Sequence, residues 1–467
     1  MEVKKMNQAY QKFLNSLKNK KIAIVGIGVS NLPLIQILKE LNCDITLFDS
    51  KELNTMKEEI QELIKNSKIK TSFGEHYLEK LTGFDIIFRS PSFLPTNPYL
   101  VKEKIRGAYI TTEVEQVIKL APCQIIGITG SKGKTTTTTI LANILEKLGY
   151  RVHLGGNIGT PLFKELDKMK ETDIVVLELS SFQLMNMEVS PNIAIITNIS
   201  PDHLDIHGSY EEYIDAKKYI FKNQTKDGIL VLNADDEIVS TFEKDANGKV
   251  RYFGSKEQKD TYYLKEDFIC YQDEKIIDTK ILRLKGRHNY LNICAALNAI
   301  KDKITVSNQE LESIIKEIKS VHHRLEFVRE INGVEWYNDS ASTTPDKSLA
   351  GIYAFDKKIV LIAGGYDKNI SYEPMAKPIL ERVSKLILFG NTKNKIYDAV
   401  MNLKKKSGGD IQIYVMDTLE EVVSVAYEVS TKEEVVLFSP ASASFDMFQN
   451  AYQRGDLFKE KVNHLGE

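Results

Sequence analysis

The sequence has few of the features that would narrow its class quickly. Its 467 residues hold four cysteines, Cys43, Cys123, Cys270 and Cys294, far apart and without a C-x-x-C pair. That spacing argues against a zinc knuckle or a dithiol redox motif, and scattered thiols suit a reducing cytosol better than a disulfide framework. An excess of one charge is also missing. Lys+Arg 62 against Asp+Glu 64 leaves a formal net charge of −2 at pH 7, so no electrostatic case for a nucleic-acid partner arises. No stretch approaches the roughly 20 apolar residues that cross a bilayer. The opening "MEVKKMNQAYQKFLNSLKNKK" lacks the apolar h-region of a secretory signal. These absences lead to the expectation of a cytoplasmic chain with neither a nucleic-acid nor a membrane partner.

What is present is patterned. Hydrophobic residues make up 42% and charged residues 27%, enough to bury real cores, and the length suggests about three domains. Three blocks alternate short β-branched strands with helical periodicity. The first opens with "KKIAIVGIGVSNLPLIQILKELNCDITLFDS", a strand, a glycine turn, a helix and a strand, and continues to "FDIIFRSPSF" at 84–93. The second contains "QIIGITG", "DIVVLELSS", "NIAIITNIS" and "GILVLN", and then "RLKGRHNYLNICAALNAI", which reads as loop into helix. The third repeats the plan with "KIVLIAGG", "KLILFG" and "EVVLFSP"; "LKKKSGGD" (403–410) reads as a solvated loop. The expected fold class is α/β in three consecutive domains: Rossmann-like at 1–112, P-loop ATPase-like with a mostly parallel sheet at 113–319, and Rossmann-like at 320–467. Parallel strands need such helical crossovers.

The most specific signal is "GITGSKGKTTTTT", residues 127–139. The strict phosphate-loop pattern is G-x-x-x-x-G-K-[ST], and here Ile128 stands where its first glycine belongs. The physics survives the departure. Gly130 and Gly133 let backbone N–H groups of Ser131 and Lys132 approach a phosphate, and the next helix presents its positive end. Lys134 can reach terminal phosphates, and the hydroxyls of Thr135 and Thr136 can meet Mg²⁺ or phosphate. Five β-branched threonines are poor helix formers, so their hydroxyls are expected to serve phosphate, cap or metal contacts. The bland alternative is a glycine turn before a helix.

The first block offers a rival site. Gly26-x-Gly28-x-x-Asn31, with Asp49 ending the next strand, matches a dinucleotide fingerprint only partly, because Asn31 replaces the third glycine. A nucleotide-diphosphate group fits better there than NAD. Magnesium wants hard oxygen ligands. Glu178 stands amid apolar residues before a Ser-Ser loop, where a carboxylate is costly unless paired or on a metal. In "NISPDHLDIHGS" (198–209), His203 is a candidate for metal or substrate, while Asp205 and His207 read as supporting or surface groups.

Together "GITGSKGKTTT", "GGNIGTP", "LELSSFQL", "NISPDHLD", "GRHNYLNICAAL", "HHRLEFV", "WYNDSAS", "AGGYDK" and "FSPASASFD" resemble the Mur ligases, ATP-dependent amide-forming enzymes of bacterial cell-wall synthesis. The resemblance covers nearly the whole chain. "GIGVS…FDS…RSPS" and "LELSSFQL" look most like the branch that adds D-glutamate to UDP-muramoyl-alanine. The resemblance implies ATP as co-substrate, two Mg²⁺ ions and an acyl-phosphate intermediate. It implies that Lys134 holds β/γ-phosphates, that Thr135 and Glu178 hold one Mg²⁺, and that His203 helps to hold a second. Lys217, in "YIDAKKYIF", matches a lysine carbamylated by CO₂; without the resemblance it reads as a surface helix lysine. Asn157 and His203 would meet the UDP-linked substrate, Asn289 and Asp339 adenine or ribose, and Arg324 the phosphates. Gly28, Val29, Ser30, Asp49, Ser50, Ser90 and Ser92 match positions at the UDP end, although glycine is usual at Ser92. Lys368, Ser444 and Phe445 would meet the amino acid. Two departures concern that last subsite. Ala341 replaces a lysine of the N-D-S-K pattern, and Ala451 in "FQNAYQRG" replaces an aromatic for which Tyr452 could stand in. Other amide ligases of this plan, including a different amino-acid adder or a folate polyglutamylating enzyme, stay open, as do a nucleotide switch and an oxidoreductase. A monomer is expected.

Overall fold

In the computed structural model residues 7–28, 30–65, 67–257 and 259–466 are described. Runs of Ile, Val and Leu form strands buried on both faces, the pattern parallel sheets demand. The first sheet holds β1 (Lys21–Val25), β2 (Asp44–Asp49), β3 (Lys70–Phe73), β4 (Ile86–Arg89) and β5 (Tyr109–Thr111). Its order is β3-β2-β1-β4-β5, all parallel. The second holds β6 (Gln124–Thr129), β7 (Val152–Gly156), β8 (Ile174–Glu178), β9 (Ile193–Ile196), β10 (Ile229–Asn233) and β11 (Lys249–Phe253). Its order is β11-β10-β9-β6-β8-β7, again parallel.

A three-stranded sheet follows: β12 (Tyr262–Lys265), β13 (Phe268–Tyr271) and β14 (Glu274–Asp278). The last sheet holds β15 (Glu326–Ile331), β16 (Val334–Asn338), β17 (Lys358–Gly364), β18 (Val383–Phe389), β19 (Gln412–Val415) and β20 (Glu434–Phe438). Its order is β15-β16-β20-β17-β18-β19, with only the β15–β16 pair antiparallel. The α/β class expected from the sequence is therefore the observed one.

The chain divides into two compact units. One runs to residue 266 and takes in 270–274 and 291–305; the other holds 267–269, 275–290 and the residues from 306 onward. The first two sheets both lie in the first unit. There the helix Gln8–Leu17 sets Tyr10 edge-on to Phe163 at 5.3 Å, and Asn7 Nδ2 donates to Leu120 O at 2.8 Å.

Two stretches differ from the sequence reading. Residues 403–407, read as loop, are the end of the helix Lys393–Ser407. Lysines are good helix formers, and Lys404, Lys405 and Lys406 occupy the last turn, where the helix dipole favours cations. The β12–β14 sheet has no forerunner in the reading, because four- and five-residue strands rich in Tyr, Lys and Asp carry little periodic signal.

Candidate active site

In the first two sheets the chain reverses its direction of winding beside the first strand, and ligand crevices form outside strand carboxyl ends at such reversals. In the second sheet β6 lies between β8 and β9. Three loops therefore meet: 130–133 after β6, 179–180 after β8, and 197–203 after β9.

The first loop feeds the helix Lys134–Lys147, whose N-cap is Gly133 at φ 84° with no side-chain cap. The first-turn N–H groups of a helix lack intrahelical acceptors, so here they are open to an anion. Gly130 sits at φ 148°, and a Cβ there would fall 1.9 Å from Thr197 Oγ1. The loop is braced from behind. Thr197 Oγ1 and Asn198 Nδ2 both donate to Lys132 O, at 2.6 and 2.8 Å. Ser131 Oγ accepts from Ser200 N at 2.9 Å and lies 2.9 Å from Tyr213 Oη. Of the threonine run, Thr137 and Thr138 are fully buried with unpartnered hydroxyls. The expectation of phosphate, cap or metal contacts for the run's hydroxyls does not hold for these two: helical periodicity turns them toward the core, while Thr135 and Thr136 stand in the first turn.

Two lysines converge on one oxygen. Lys134 Nζ and Lys217 Nζ each donate to Gly130 O at 2.8 Å, and Lys134 also donates to Ser131 O at 3.0 Å. Two ammonium groups so placed repel by about 3 kcal/mol at an effective dielectric of about 20. Lys217 is no surface lysine. It is 1% exposed and lies 4.5 Å over the Tyr213 ring. Burial, and then the Lys134 charge, pull its pKa down to about 7, with Asp202 opposing. Near neutral pH this side chain is therefore partly an uncharged amine.

Glu178 ends β8, 1% exposed. Its Oε1 accepts from Asn157 Nδ2 at 2.8 Å, while among the described residues nothing reaches Oε2. A buried carboxylate oxygen without a donor is costly, and a bound cation is the group that would satisfy it. His203 is half exposed, adopts a left-handed backbone (φ 52°), and meets the Phe182 ring edge-on at 5.3 Å. Asp205 is exposed. His207 is buried, stacks on Phe182 at 4.9 Å, and lies with Nε2 2.9 Å from Ser181 Oγ. Burial, and then the Lys217 charge, lower the His207 pKa. Among the described residues no three His, Cys, Asp or Glu side chains converge, so a cation here would draw on Thr135, on a modified lysine and on substrate oxygens.

In the first sheet β1 lies between β2 and β4. Asp49 Oδ2 accepts from Ile27 N at 2.7 Å, pinning the glycine turn. Ser90 Oγ lies 3.0 Å from Ser92 Oγ, and a Cβ at Gly26 would fall 2.3 Å from Ser90 Oγ. Gly28, Ser50 and Ser92 are exposed and Ser30 is half-buried, so this strand-end group can face a ligand. Val29 lies outside the described residues. Asn31 is buried and donates to Gly26 O at 2.9 Å. Its side chain stands where the fingerprint's third glycine would allow close helix–strand packing.

In the second unit, Asp339 is buried between Leu325 N (3.2 Å) and Ser439 Oγ (2.7 Å), and burial raises its pKa to about 6. Arg324, Lys368 and Phe445 are exposed, Ser444 is buried, and Asn289 is buried with Nδ2 on Lys285 O at 2.7 Å. Tyr452 is exposed and meets the His323 ring at 5.3 Å.

A model of the Mur ligase middle domain matches residues 128–300, and one of the Mur ligase glutamate ligase domain matches 323–442. The chain is 45% identical over 461 residues to the UDP-N-acetylmuramoylalanine–D-glutamate ligase of Clostridium novyi (strain NT), covering 98% of this chain and 100% of the relative. It belongs to the Mur ligase family. A Clostridium kluyveri relative with the same name is 46% identical over the same span. The fold is also similar to that of the UDP-N-acetylmuramate-alanine ligase of Thermotoga maritima, with TM-score 0.56, 22% identity, and 95% of this chain and 99% of that one covered.

Some framework groups of this Mur ligase escaped the sequence reading. Asn198, Thr197 and Tyr213 brace the phosphate loop from 65 or more residues away in the chain. Arg454 is fully buried and donates to Ala443 O, Ser442 O, Ser340 O and Ser340 Oγ at 2.9–3.0 Å. It thereby joins the loop with Ala341 to the loop with Ser444. The "QRG" of "FQNAYQRG" was the one available signal for it.

Proposed function

We propose that the chain joins D-glutamate to UDP-N-acetylmuramoyl-L-alanine with ATP as co-substrate, in peptidoglycan precursor synthesis. The observation that carries the phosphoryl chemistry is the pair of lysines on Gly130 O beside an uncapped helix start. Such a place is stabilised by an anion. The choice of acid and amino acid follows the relatives' names across nearly full length.

In the proposed reaction the alanyl carboxylate attacks the γ-phosphorus of ATP, and ADP leaves. The acyl phosphate then has a good leaving group. The amine of D-glutamate attacks its carbonyl carbon, loses a proton, and phosphate departs from the tetrahedral intermediate. Catalysis is mainly positioning and charge neutralisation. Gly130, Ser131, Lys132, Gly133, Lys134, Thr135 and Thr136 would take the phosphates. Asn289, Asp339 and Arg324 keep their proposed nucleotide roles. Gly28, Ser30, Asp49, Ser50, Ser90, Ser92, Asn157 and His203 keep theirs toward the UDP-linked acid, and Lys368, Ser444 and Phe445 theirs toward the amino acid.

Mg²⁺ fits Thr135, Glu178, His203 and a carbamylated Lys217; when bound it supplies neutralisation of phosphate charge. The unpartnered Glu178 Oε2 supports this donor set. The lowered pKa supports carbamylation, because a neutral amine is what attacks CO₂, and the resulting anion would face Lys134. The test is phosphate release from ATP with UDP-N-acetylmuramoyl-L-alanine and a panel of amino acids. Release with D-glutamate alone is expected. Release with another amino acid alone would reassign the acceptor, and release with none would defeat the ligase reading.

A further inference from the structure

We infer that Arg89 is a positioning residue that locks the loop of the UDP-side serines to the loop following Glu178, and so sets where His203 lies. The inference rests on the ligase reading above. Arg89 ends β4, immediately before Ser90, and is 4% exposed. Its Nη1 donates to Phe93 O at 3.3 Å and Phe182 O at 3.4 Å; its Nη2 donates to Phe182 O at 3.5 Å and Met185 O at 2.9 Å. Phe93 belongs to its own loop. Phe182 is the second residue of the short helix Ser181–Leu184 and Met185 is its C-cap, and the last carbonyls of a helix lack intrahelical partners.

A planar, rigid donor fork is suited to gathering several carbonyls at once, and each bond is strengthened by the donor's charge. Burying a guanidinium without a bidentate carboxylate is costly. Burial accordingly pulls Arg89 down to about 10, with Glu115 opposing, so it stays charged at neutral pH. The helix it grips is fixed at its start by the Ser180–Gln183 capping box. The Phe182 ring meets the His203 ring edge-on at 5.3 Å and stacks on the His207 ring at 4.9 Å. The physical line is therefore Ser90 and Ser92, Arg89, the Phe182 carbonyl, the Phe182 ring, and His203. An arginine that only stapled the chain would affect stability alone; one that positions His203 also couples the two substrate regions.

The test uses the full chain as wild type, Arg89→Lys and Arg89→Met, with two readouts. The first is steady-state phosphate release. Arg89→Met is expected to lose about tenfold or more in kcat, the scale of an outer supporting group, with KM for ATP little changed, and Arg89→Lys to recover part of the loss. The second is amide hydrogen exchange without ATP. UDP-N-acetylmuramoyl-L-alanine is expected to slow exchange at 180–186 in wild type and not in Arg89→Met, while 90–93 is slowed in both. A wild-type kcat in Arg89→Met, or equal slowing at 180–186 in all three proteins, would overturn the inference. If Arg89→Met does not fold, Arg89→Lys decides: weakened coupling supports the inference and unchanged coupling defeats it. A wild type that releases no phosphate would instead defeat the ligase reading.

Discussion

The phosphate loop after β6 and the serine-rich loop after β20 both leave a parallel strand at its carboxyl end, yet they are built in opposite ways. Around 130–133 the charged groups are left wanting. Two ammonium groups share one carbonyl oxygen, and Glu178 keeps a buried oxygen without a donor. Around 440–446 the buried guanidinium of Arg454 is satisfied by the protein itself, donating to three carbonyls and a hydroxyl, and among the described residues of that stretch only Asp446 Oδ1 is buried without a donor. Phe445 in that loop and Lys368 after β17 are exposed. Unmet polar demand marks a place that its ligand completes; met demand marks a frame that presents a ligand surface.

The comparison is broken most severely at Lys217. Lys217→Ala is expected to cut kcat by about 10³-fold, the upper range for loss of one electrostatic stabiliser, and added short carboxylates should restore part of it. Wild-type activity in this variant would remove the carbamate from the account. Glu178→Gln keeps the Asn157 contact region but removes the charge. A loss of about 100-fold in kcat, partly offset by raised Mg²⁺, is expected; loss of affinity for UDP-N-acetylmuramoyl-L-alanine alone would show that Glu178 serves a different subsite.

On the other side, Arg454→Met should act through stability. Leaving buried carbonyls without donors costs about 2 kcal/mol or more, readable in denaturant unfolding, and residual folded enzyme should keep most of its KM for ATP. The pH dependence sharpens the contrast further. After CO₂ depletion, the rate at which CO₂, held at the same dissolved concentration at every pH, restores activity should rise with pH and level off above about pH 7, because the Lys217 pKa is lowered to about 7 and its neutral amine is the nucleophile. A rate that keeps rising toward about pH 10 would mean an ordinary lysine. The smallest effect is expected for Phe445→Ala, about a tenfold rise in KM for D-glutamate with kcat little changed.

Much of this was legible before any coordinates. Glycines, a lysine and threonines between a β-branched strand and a helix can be read locally, so the loop at 130–136 and the strand-end position of Glu178 were within reach. Lys217 was not. Its burial, its lowered pKa and its bond to Gly130 O come from packing 87 positions apart, and by pattern alone it is one of three lysines on a helix. The same reason hid Tyr213 behind Ser131 and Arg454 behind Ser340. His207 was read as supporting or surface, and it is buried with Phe182 stacked on it, a contact between the segments that follow β8 and β9, two strands separated in the sheet by β6. The run of threonines misled in another way. Composition suggested one role, while helical geometry set Thr137 and Thr138 in the core.

The central claim is that ATP passes its γ-phosphoryl group to the acid itself. UDP-N-acetylmuramoyl-L-alanine carrying ¹⁸O in its alanyl carboxylate decides it, by mass analysis of the phosphate released during turnover with D-glutamate. One ¹⁸O per phosphate is the expected result, because the acyl oxygen leaves with phosphorus. Unlabelled phosphate, or ¹⁸O appearing in AMP, would contradict it.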